Sequence, residues 1–444
     1  MHECVASMRQ YNLEPDSNVI SAIIDACARS GNVEAAELCL RNAKIRGIEL
    51  DATMYAGLIK AYHAGGRHPR ESVGILNRME VDDGVAADCV VYTAVMMNFL
   101  RHGLANECVD IFHRMSLRGI KPDSVSFTVL MDACAHSDML EQAKGYFDQM
   151  EITHVAPTLP LYNAFINVCA ARARSLATLP KKRRRWLRKL AVDINPEEPL
   201  KLAHRQFAAM AESGFEPDGA SYVGLLRTHA AIGDAEGAQR TLSRLLDSGI
   251  QAKPSHFHIL LMACVRCGLL KPRSEHEAAL QLAGSVLPSM ETLGLEITDV
   301  PISLTIGAYA AANKVHRASA LLEELPARYG RKPSVQACKH LLNMCDRIHR
   351  GALAREIVDK MLELGYDVAE GVLRLPGEIE MRRDKAYSAY PALPKVSWSK
   401  YRGGFVHKGA PAGAERRWLT SRGERRRHRA ALLNPPRLRR RLGA

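Results

Sequence analysis

The chain has 444 residues, of which 47% are hydrophobic and 25% are charged, so by length it could hold two or three globular domains. It contains no apolar run of the roughly 18 residues that a membrane-spanning helix requires, so we expect a soluble protein without a membrane partner. Its 61 Lys and Arg outnumber its 48 Asp and Glu, and the formal net charge of +13 favours an acidic partner such as nucleic acid.

The excess positive charge is concentrated in two segments. Residues 172 to 190 contain 9 Lys and Arg and no Asp or Glu, and residues 371 to 444 contain 19 Lys and Arg against 5 Asp and Glu. The rest of the chain is therefore acidic in sum. Because an acidic surface repels phosphate, we expect nucleic acid contacts chiefly at these two segments.

A pattern of 35 residues recurs along the chain, most plainly at 17 to 51, 89 to 123 and 124 to 158. Nine copies, some with insertions, start at residues 17, 52, 89, 124, 159, 219, 254, 299 and 335. Residues 1 to 16 include VASMRQYNLEPD, which matches the second half of a further copy. Such self-similarity is typical of stacked repeats, because one unit cannot bury its apolar side alone.

Two columns of the repeat are mostly apolar or aromatic and are predicted to form the core. Position 4 holds Ile20, Tyr55, Tyr92, Phe127, Tyr162, Tyr222, Phe257, Ile302 and Cys338. Position 11 holds Cys27, Tyr62, Phe99, Cys134, Cys169, His229, Cys264, Tyr309 and Cys345. Glycine follows at position 15 in Gly31, Gly66, Gly103, Gly233 and Gly268, where we expect the first helix to end. Each unit is thus predicted to be two antiparallel helices.

These units resemble the pentatricopeptide repeat family in its plain 35-residue form, over about residues 5 to 369. Tetratricopeptide repeats are the nearest alternative, but they have 34 residues and an early Trp, and no repeat here has a Trp outside its insert. The resemblance implies an all-α, right-handed α-solenoid of about nine helix-turn-helix repeats over residues 17 to 369. Residues 370 to 444 form a basic, irregular extension that is predicted to be largely disordered when unbound.

The resemblance also implies that RNA bases are read one per repeat, by position 5 and by the last residue of the unit. Three repeats carry a matching pair: Ser21 with Asp51, Thr93 with Asp123, and Asn163 with Asp218. By resemblance the first two pairs prefer G and the third prefers U. The other repeats depart from the pattern, with Ala56 and Asp88, Thr128 and Thr158, Val223 and Lys253, His258 and Thr298, Ser303 and Ser334, and Lys339 and Ala369. Simple solvent exposure of the polar residues in a groove is the alternative to base reading.

Repeat five contains an insert at about 175 to 199, between helices predicted at 159 to 174 and 199 to 218. Its centre, PKKRRRWLRKL, is predicted to form a short basic helix, and the tail is similarly rich in Arg and Trp. Arg binds phosphate bidentately and indole rings stack on unpaired bases. The candidates for RNA backbone or stacking contacts are Lys181, Lys182, Arg183, Arg184, Arg185, Trp186, Arg188, Lys189, Trp398, Arg416, Arg417, Trp418, Arg425, Arg426, Arg427, Arg439, Arg440 and Arg441. Nuclear import is the alternative for KKRRR. For the tail, the alternative is a disordered segment kept only for solubility.

No constellation for catalysis or metal binding emerges from the sequence. Five of the 11 Cys fall in the position 11 column, which favours small core residues, and Cys264 with Cys267 lacks the two further ligands of a structural zinc site. A deaminase would need HxE followed by PCxxC. The acids Glu378, Glu380 and Asp384 stand among Arg and favour an ion-paired surface. We therefore expect no enzyme, no cofactor, no metal and no small-molecule substrate.

The pattern taken together predicts a non-catalytic organellar RNA-binding protein that acts in RNA stabilisation, processing or translation, with limited base readout. The alternatives are an accessory RNA-binding component of an organellar ribosome, and an α-solenoid scaffold for ribosomal or other proteins. Mitochondrion or chloroplast is the expected location by resemblance, with the nucleus as the weaker alternative. The chain starts in mid-repeat without an amphipathic presequence, so we expect sequence upstream of it.

Overall fold

The computed structural model describes residues 16–180, 195, 197–347, 350–367 and 376–380. The chain divides into two units, residues 1–383 and 384–444, and every described residue belongs to the first. Over these residues the chain is helical and contains no β-strand, which confirms the all-α class. None of the described helices is both long enough and apolar enough to cross a membrane.

Eighteen α-helices of two turns or more follow one another in the described part of the chain. They are α1 (Ser17–Ser30), α2 (Val33–Ile45), α3 (Ala52–Ala64), α4 (Pro69–Asn77), α5 (Cys89–Arg101), α6 (Ala105–Leu117), α7 (Ser124–Ser137), α8 (Leu140–Ile152), α9 (Leu159–Thr178), α10 (Glu198–Glu212), α11 (Gly219–Ile232), α12 (Ala235–Asp247), α13 (Pro254–Leu270), α14 (His276–Thr292), α15 (Asp299–Ala311), α16 (Val315–Tyr329), α17 (Val335–Arg347) and α18 (Gly351–Glu363). The odd-numbered helices begin at the nine residues where the 35-residue pattern starts.

The helices form two layers. Each odd-numbered helix packs against the next odd-numbered helix, from α1 to α17 without a gap, and each also packs against the even-numbered helix that follows it in the chain. Contacts between even-numbered helices are sparser, and the more extensive of them are α12 with α14 and α16 with α18. The result is a solenoid in which the odd-numbered helices carry most contacts between repeats.

The two apolar columns fill the space between the layers. The rings of Tyr55, Tyr92 and Phe127 at position 4 are fully buried. The five Cys at position 11 are buried as well, which confirms their predicted role in the core. Burial raises the thiol pKa of Cys134 and of Cys169 to about 12, so these side chains stay neutral and pack as small apolar groups.

The glycine prediction is right at four repeats and wrong at Gly268. Gly31 and Gly233 end α1 and α11 with φ of 67° and 75°, a left-handed conformation that glycine adopts without strain. Gly268 instead lies inside α13, which continues to Leu270. A Cβ there would lie 2.7 Å from the backbone nitrogen of Ala312. Glycine at this position therefore permits the close approach of the end of α15, and the turn comes later.

Three segments differ from the predicted boundaries. Helix α10 was expected to run to 218 but ends at Glu212, because Gly214 follows with a left-handed φ of 80°. Helix α9 was expected to end at 174 but continues to Thr178, because no breaking residue precedes Pro180 and Leu176 is buried. Residues 376–380 form a helical turn, although they belong to the extension that was predicted to be largely disordered. Ile379 is fully buried, and Glu380 pairs with Arg355 at 3.1 Å, so this turn covers the end of the last repeat.

Candidate nucleic-acid interface

The last residue of the repeat has a structural role that the sequence analysis did not assign to it. Asp51, Asp88, Asp123 and Asp218 each cap the helix of the next repeat, with one carboxylate oxygen accepting the N–H three residues on at 2.8 to 2.9 Å. Such a cap is worth about 1 kcal/mol, so it explains aspartate at these positions without any RNA. A base can contact only those polar atoms that remain available after capping.

Asn163 and Asp218 contact each other directly. The Asn163 Nδ2 donates to Asp218 Oδ1 at 3.1 Å, and the Ser221 hydroxyl lies 2.7 Å from Asn163 Oδ1. Asn163 is only 9% exposed. Burial alone would raise the pKa of Asp218, but the donors of Ser221 and Asn163 hold it below its usual range. Asp218 therefore stays anionic.

Thr93 and Asp123 are linked through two side chains. The Cys89 sulfur lies 3.9 Å from the Thr93 hydroxyl and 3.7 Å from the hydroxyl of Ser126, which in turn donates to Asp123 Oδ1 at 2.7 Å. Thr93 is only 6% exposed, whereas Asp123 is exposed. Burial would raise the pKa of Asp123, but the hydrogen bonds from Ser126 lower it overall. The carboxylate is thus the more accessible member of this pair.

Ser21 and Asp51 are joined by Thr53. The Ser21 and Thr53 hydroxyls lie 3.1 Å apart, and Thr53 donates to Asp51 Oδ1 at 2.7 Å. Asp51 Oδ2 accepts from Ser17 at 3.2 Å, and these donors lower the pKa of Asp51 against the opposing effect of burial. Ser21 is partly exposed. All three predicted pairs are therefore connected in the structure, one of them directly and two through intervening side chains.

The linking residues are polar side chains that the sequence analysis missed. Ser126 and Ser221 each stand three residues after a capping Asp and complete a reciprocal capping box with it. The spacing Asp-x-x-Ser at the start of a predicted helix would have identified both. Thr53 is two residues after Asp51 and had no such signal.

Repeats that depart from the pattern use the same positions for contacts without a carboxylate. Ser303 accepts the backbone N–H of Ser334, the last residue of its own repeat, at 2.7 Å, which holds α15 to the segment before α17. The Thr128 hydroxyl donates to the carbonyl of Ser124 at 2.7 Å and is engaged within its own helix. These positions contribute to the packing of the repeats and offer no matched pair.

A cleft of about 320 Å³ lies on the odd-numbered helices of the first three repeats. We call it the first cleft, and it is lined by Ser21, Ala22, Asp25, Thr53, Ala56, Lys60, Asp88 and Val90. The position 5 residues of repeats one and two and the capping Asp88 thus face one shared space. Apolar walls beside a few polar groups are suited to an unpaired base.

A larger cleft of about 640 Å³ lies on the odd-numbered helices of repeats four, five and six. We call it the second cleft, and it is lined by Asp132, Ala135, His136, Asp138, Asn167, Ala170, Ala171, Arg174, Ser175, Thr178 and Arg227. It contains none of the predicted base-reading residues. The two clefts therefore differ in size, in charge and in the columns that line them.

The backbone and stacking candidates lie outside the described residues. These are Lys181, Lys182, Arg183, Arg184, Arg185, Trp186, Arg188 and Lys189 of the insert, and Trp398, Arg416, Arg417, Trp418, Arg425, Arg426, Arg427, Arg439, Arg440 and Arg441 of the tail. Within the described ranges, no group of three or more His, Cys, Asp or Glu is arranged to hold a metal ion. The candidate interface in the described chain is therefore the face of the odd-numbered helices.

Comparison with protein families supports the repeat assignment. A model of the PPR repeat family matches residues 87–136, and a model of the single PPR repeat matches 20–48 and 125–152. A putative mitochondrial pentatricopeptide repeat-containing protein of Arabidopsis thaliana is 27% identical over 147 residues, which is 33% of this chain and 20% of the relative. A second putative protein of that description from Arabidopsis thaliana is 24% identical over 268 residues, or 57% of this chain and 37% of the relative.

Similar solved structures include maize PPR10, 18% identical with a TM-score of 0.33, covering 87% of this chain and 69% of that one. Yeast Rmd9p in complex with a 16-nt target RNA is 13% identical with a TM-score of 0.38, covering 87% of this chain and 86% of that one. The chain spans only 20% to 37% of the length of the two curated relatives above. The repeat models match residues 20–48 and 87–152, and together with the helix pairs they show that the chain contains pentatricopeptide repeats.

Proposed function

We propose that the chain is a non-catalytic organellar RNA-binding protein that holds single-stranded RNA along its odd-numbered helices. The observation that supports this most is the linkage of the position 5 residue to a terminal Asp in each of the three repeats that carry a matching pair. Each linked pair presents an anionic carboxylate beside a short polar side chain. An Asp oxygen accepts hydrogen bonds from base N–H groups, which is the chemistry needed to select G or U.

Limited specificity follows from the spacing of these pairs. They occur at repeats one, three and five, and the repeat between any two of them lacks a complete pair. Each good base contact contributes about 1 to 3 kcal/mol, so three separated contacts discriminate between RNA sequences less than a long run of adjacent base contacts would. Most of the affinity then comes from phosphate neutralisation, for which the Arg- and Lys-rich insert and tail are suited.

Selection from a randomised RNA library tests this proposal. With one base per repeat, the enriched motif should be G, any base, G, any base, U, in one polarity or the other. Recovery of RNA without this motif would overturn the base assignments. No enrichment of RNA at all would overturn the proposed function and would favour the protein scaffold.

Crosslinking in cells separates the remaining roles. Enrichment of one messenger in mitochondria or chloroplasts would support a factor for stabilisation, processing or translation. Enrichment of ribosomal RNA would support an accessory ribosomal component, which the Arg-rich tail and the incomplete register favour. Recovery of nuclear transcripts would support the alternative that KKRRR is a nuclear import signal.

A further inference from the structure

The end of the long helix α9 forms part of the wall of the second cleft. This helix has 20 residues, whereas its neighbours α7 and α11 have 14 each. At 1.5 Å per residue, its last six residues extend about 9 Å further than a helix of the neighbours' length would. The last turns of α9 place Arg174, Ser175 and Thr178 in the wall of the cleft. The helix immediately precedes the basic insert.

Two arginines that face this cleft have no counter-ion among the described residues. Arg174 on α9 and Arg227 on α11 are both exposed, and neither guanidinium forms an ion pair or hydrogen bond with any described residue. By contrast, Arg172 is neutralised by Asp138 at 3.0 Å. Arg266 on the next odd-numbered helix donates to the carbonyl of Ala231 at 3.0 Å. Burial, and then the charge of Arg174, lowers the pKa of Arg266, so Arg174 and Arg266 lie close enough to repel each other.

Neither acid of the second cleft pairs with these two arginines in the described part of the chain. Asp138 Oδ2 binds Arg172, and burial raises the pKa of Asp132. Asn167 and His136 complete the polar lining. The hydroxyl groups of a sugar could exchange hydrogen bonds with this carboxyl group, amide and imidazole, which lie beside the two arginines.

We propose that the second cleft holds the sugar-phosphate backbone of single-stranded RNA, with Arg174 and Arg227 on phosphate oxygens. The arginines belong to adjacent repeats, so each can bind a different phosphate of one strand. The site adds backbone attachment at repeats five and six, where the base-reading pattern ends. This inference rests on the proposed function, because it assigns the contacts of the same RNA.

The salt dependence of RNA affinity tests the assignment. Fluorescence anisotropy of a labelled 20-nucleotide uridine RNA should be measured at 50 and 200 mM KCl with the full chain and with the double variant Arg174→Ala, Arg227→Ala. Two lost phosphate contacts reduce the slope of log K against log salt by about 1.4, so the wild type should lose about sevenfold more affinity over this range than the variant. The matched control is Arg41→Ala, Arg240→Ala, two exposed arginines on even-numbered helices with the same charge change.

The outcomes distinguish the two levels of the proposal. A reduced slope in the cleft variant, with the control equal to wild type, supports the site. Equal slopes in both variants would overturn it and leave the proposed function standing, whereas absence of RNA binding by the wild type would overturn both. Circular dichroism melting of both variants controls for unfolding.

Discussion

The first and second clefts both lie on the layer of odd-numbered helices. The first is on α1, α3 and α5, the second is on α7, α9 and α11, and different columns of the repeat line them. The first combines Ser21 and Ala56 at position 5 with Asp88 and with Asp25, and it is small. The second has twice the volume and contains none of the predicted base-reading residues, and no described residue forms an ion pair with its Arg174 or Arg227. One repeat architecture thus supports two kinds of surface, and we interpret the first as selecting bases and the second as holding the backbone.

The largest expected change in base preference comes from substituting Ser21, the position 5 residue in the first cleft. Ser21→Asn should shift the preference of repeat one from purine to pyrimidine, by about 1 to 3 kcal/mol, because an amide replaces a hydroxyl at the base edge. Library selection should then return U in place of the G assigned to repeat one. The control is Ser243→Asn, the same change at an exposed position on α12. An unchanged motif in Ser21→Asn would contradict base reading in this cleft.

A second prediction concerns the helix that carries Arg227. His229 on α11 is bonded through Nδ1 to Asp234 at 2.8 Å, and this bond, against burial, lowers the pKa of Asp234 to about 2. The folded pKa lies below the usual 3.8, so the pair stabilises the fold above pH 4, and this stability is lost as the pH falls from about 4 to 2. Asp234→Asn should reduce the free energy of unfolding by about 2 kcal/mol at pH 7.

Urea unfolding at pH 7, 4 and 3 measures this effect. The difference between wild type and Asp234→Asn should shrink as the pH falls, and RNA affinity should weaken without a change of motif. Asp247→Asn, an exposed position at the end of α12, is the control. A difference that is independent of pH would show that charge on Asp234 does not stabilise the pair.

A smaller loss of stability is expected from removing a cap beside the first cleft. Asp88→Ala deprives α5 of the acceptor that binds the Val91 N–H at 2.9 Å, which should cost about 1 kcal/mol of unfolding free energy. Asp110→Ala, at an exposed position within α6, should cost less. Equal midpoints for the two variants in urea would contradict the capping role.

The smallest effect should follow from neutralising a charge in the first cleft. Asp25 is exposed there and opposes the approach of phosphate. Asp25→Asn should raise RNA affinity by about twofold at 50 mM salt and by less at 200 mM, because salt screens exposed charges. Asp148→Asn, on the even-numbered α8, should change affinity less. A loss of affinity in Asp25→Asn would show that this carboxylate accepts a hydrogen bond from RNA.

Local chemistry made much of the fold predictable. The recurrence of Tyr55, Tyr92 and Phe127 at one column indicated a buried layer, and glycines such as Gly31 marked where helices end. Gly268 was misread because a glycine that permits close packing has the same identity as one that ends a helix. Only the approach of Ala312 to it in space separates these roles.

The candidate site was less predictable because its parts are joined across repeats. The spacing of Asn163 and Asp218 follows from the resemblance, but their bond to Ser221 requires the packing of α9 on α11. Arg174 and Arg227 occupy different columns, so no alignment of repeats places them together. Both line one cleft because α9, which includes Arg174, has six residues more than α7 or α11, whereas the sequence pattern predicted an end at 174 rather than at Thr178.

The most direct test of the separation between the clefts is library selection with the Arg174→Ala, Arg227→Ala variant of the full chain. We predict that the variant selects the same motif as wild type, with G, G and U at alternate positions. It should bind this RNA with lower affinity and with a shallower salt dependence. Loss or alteration of the motif in this variant would show that the second cleft takes part in base selection, and would contradict the division of roles.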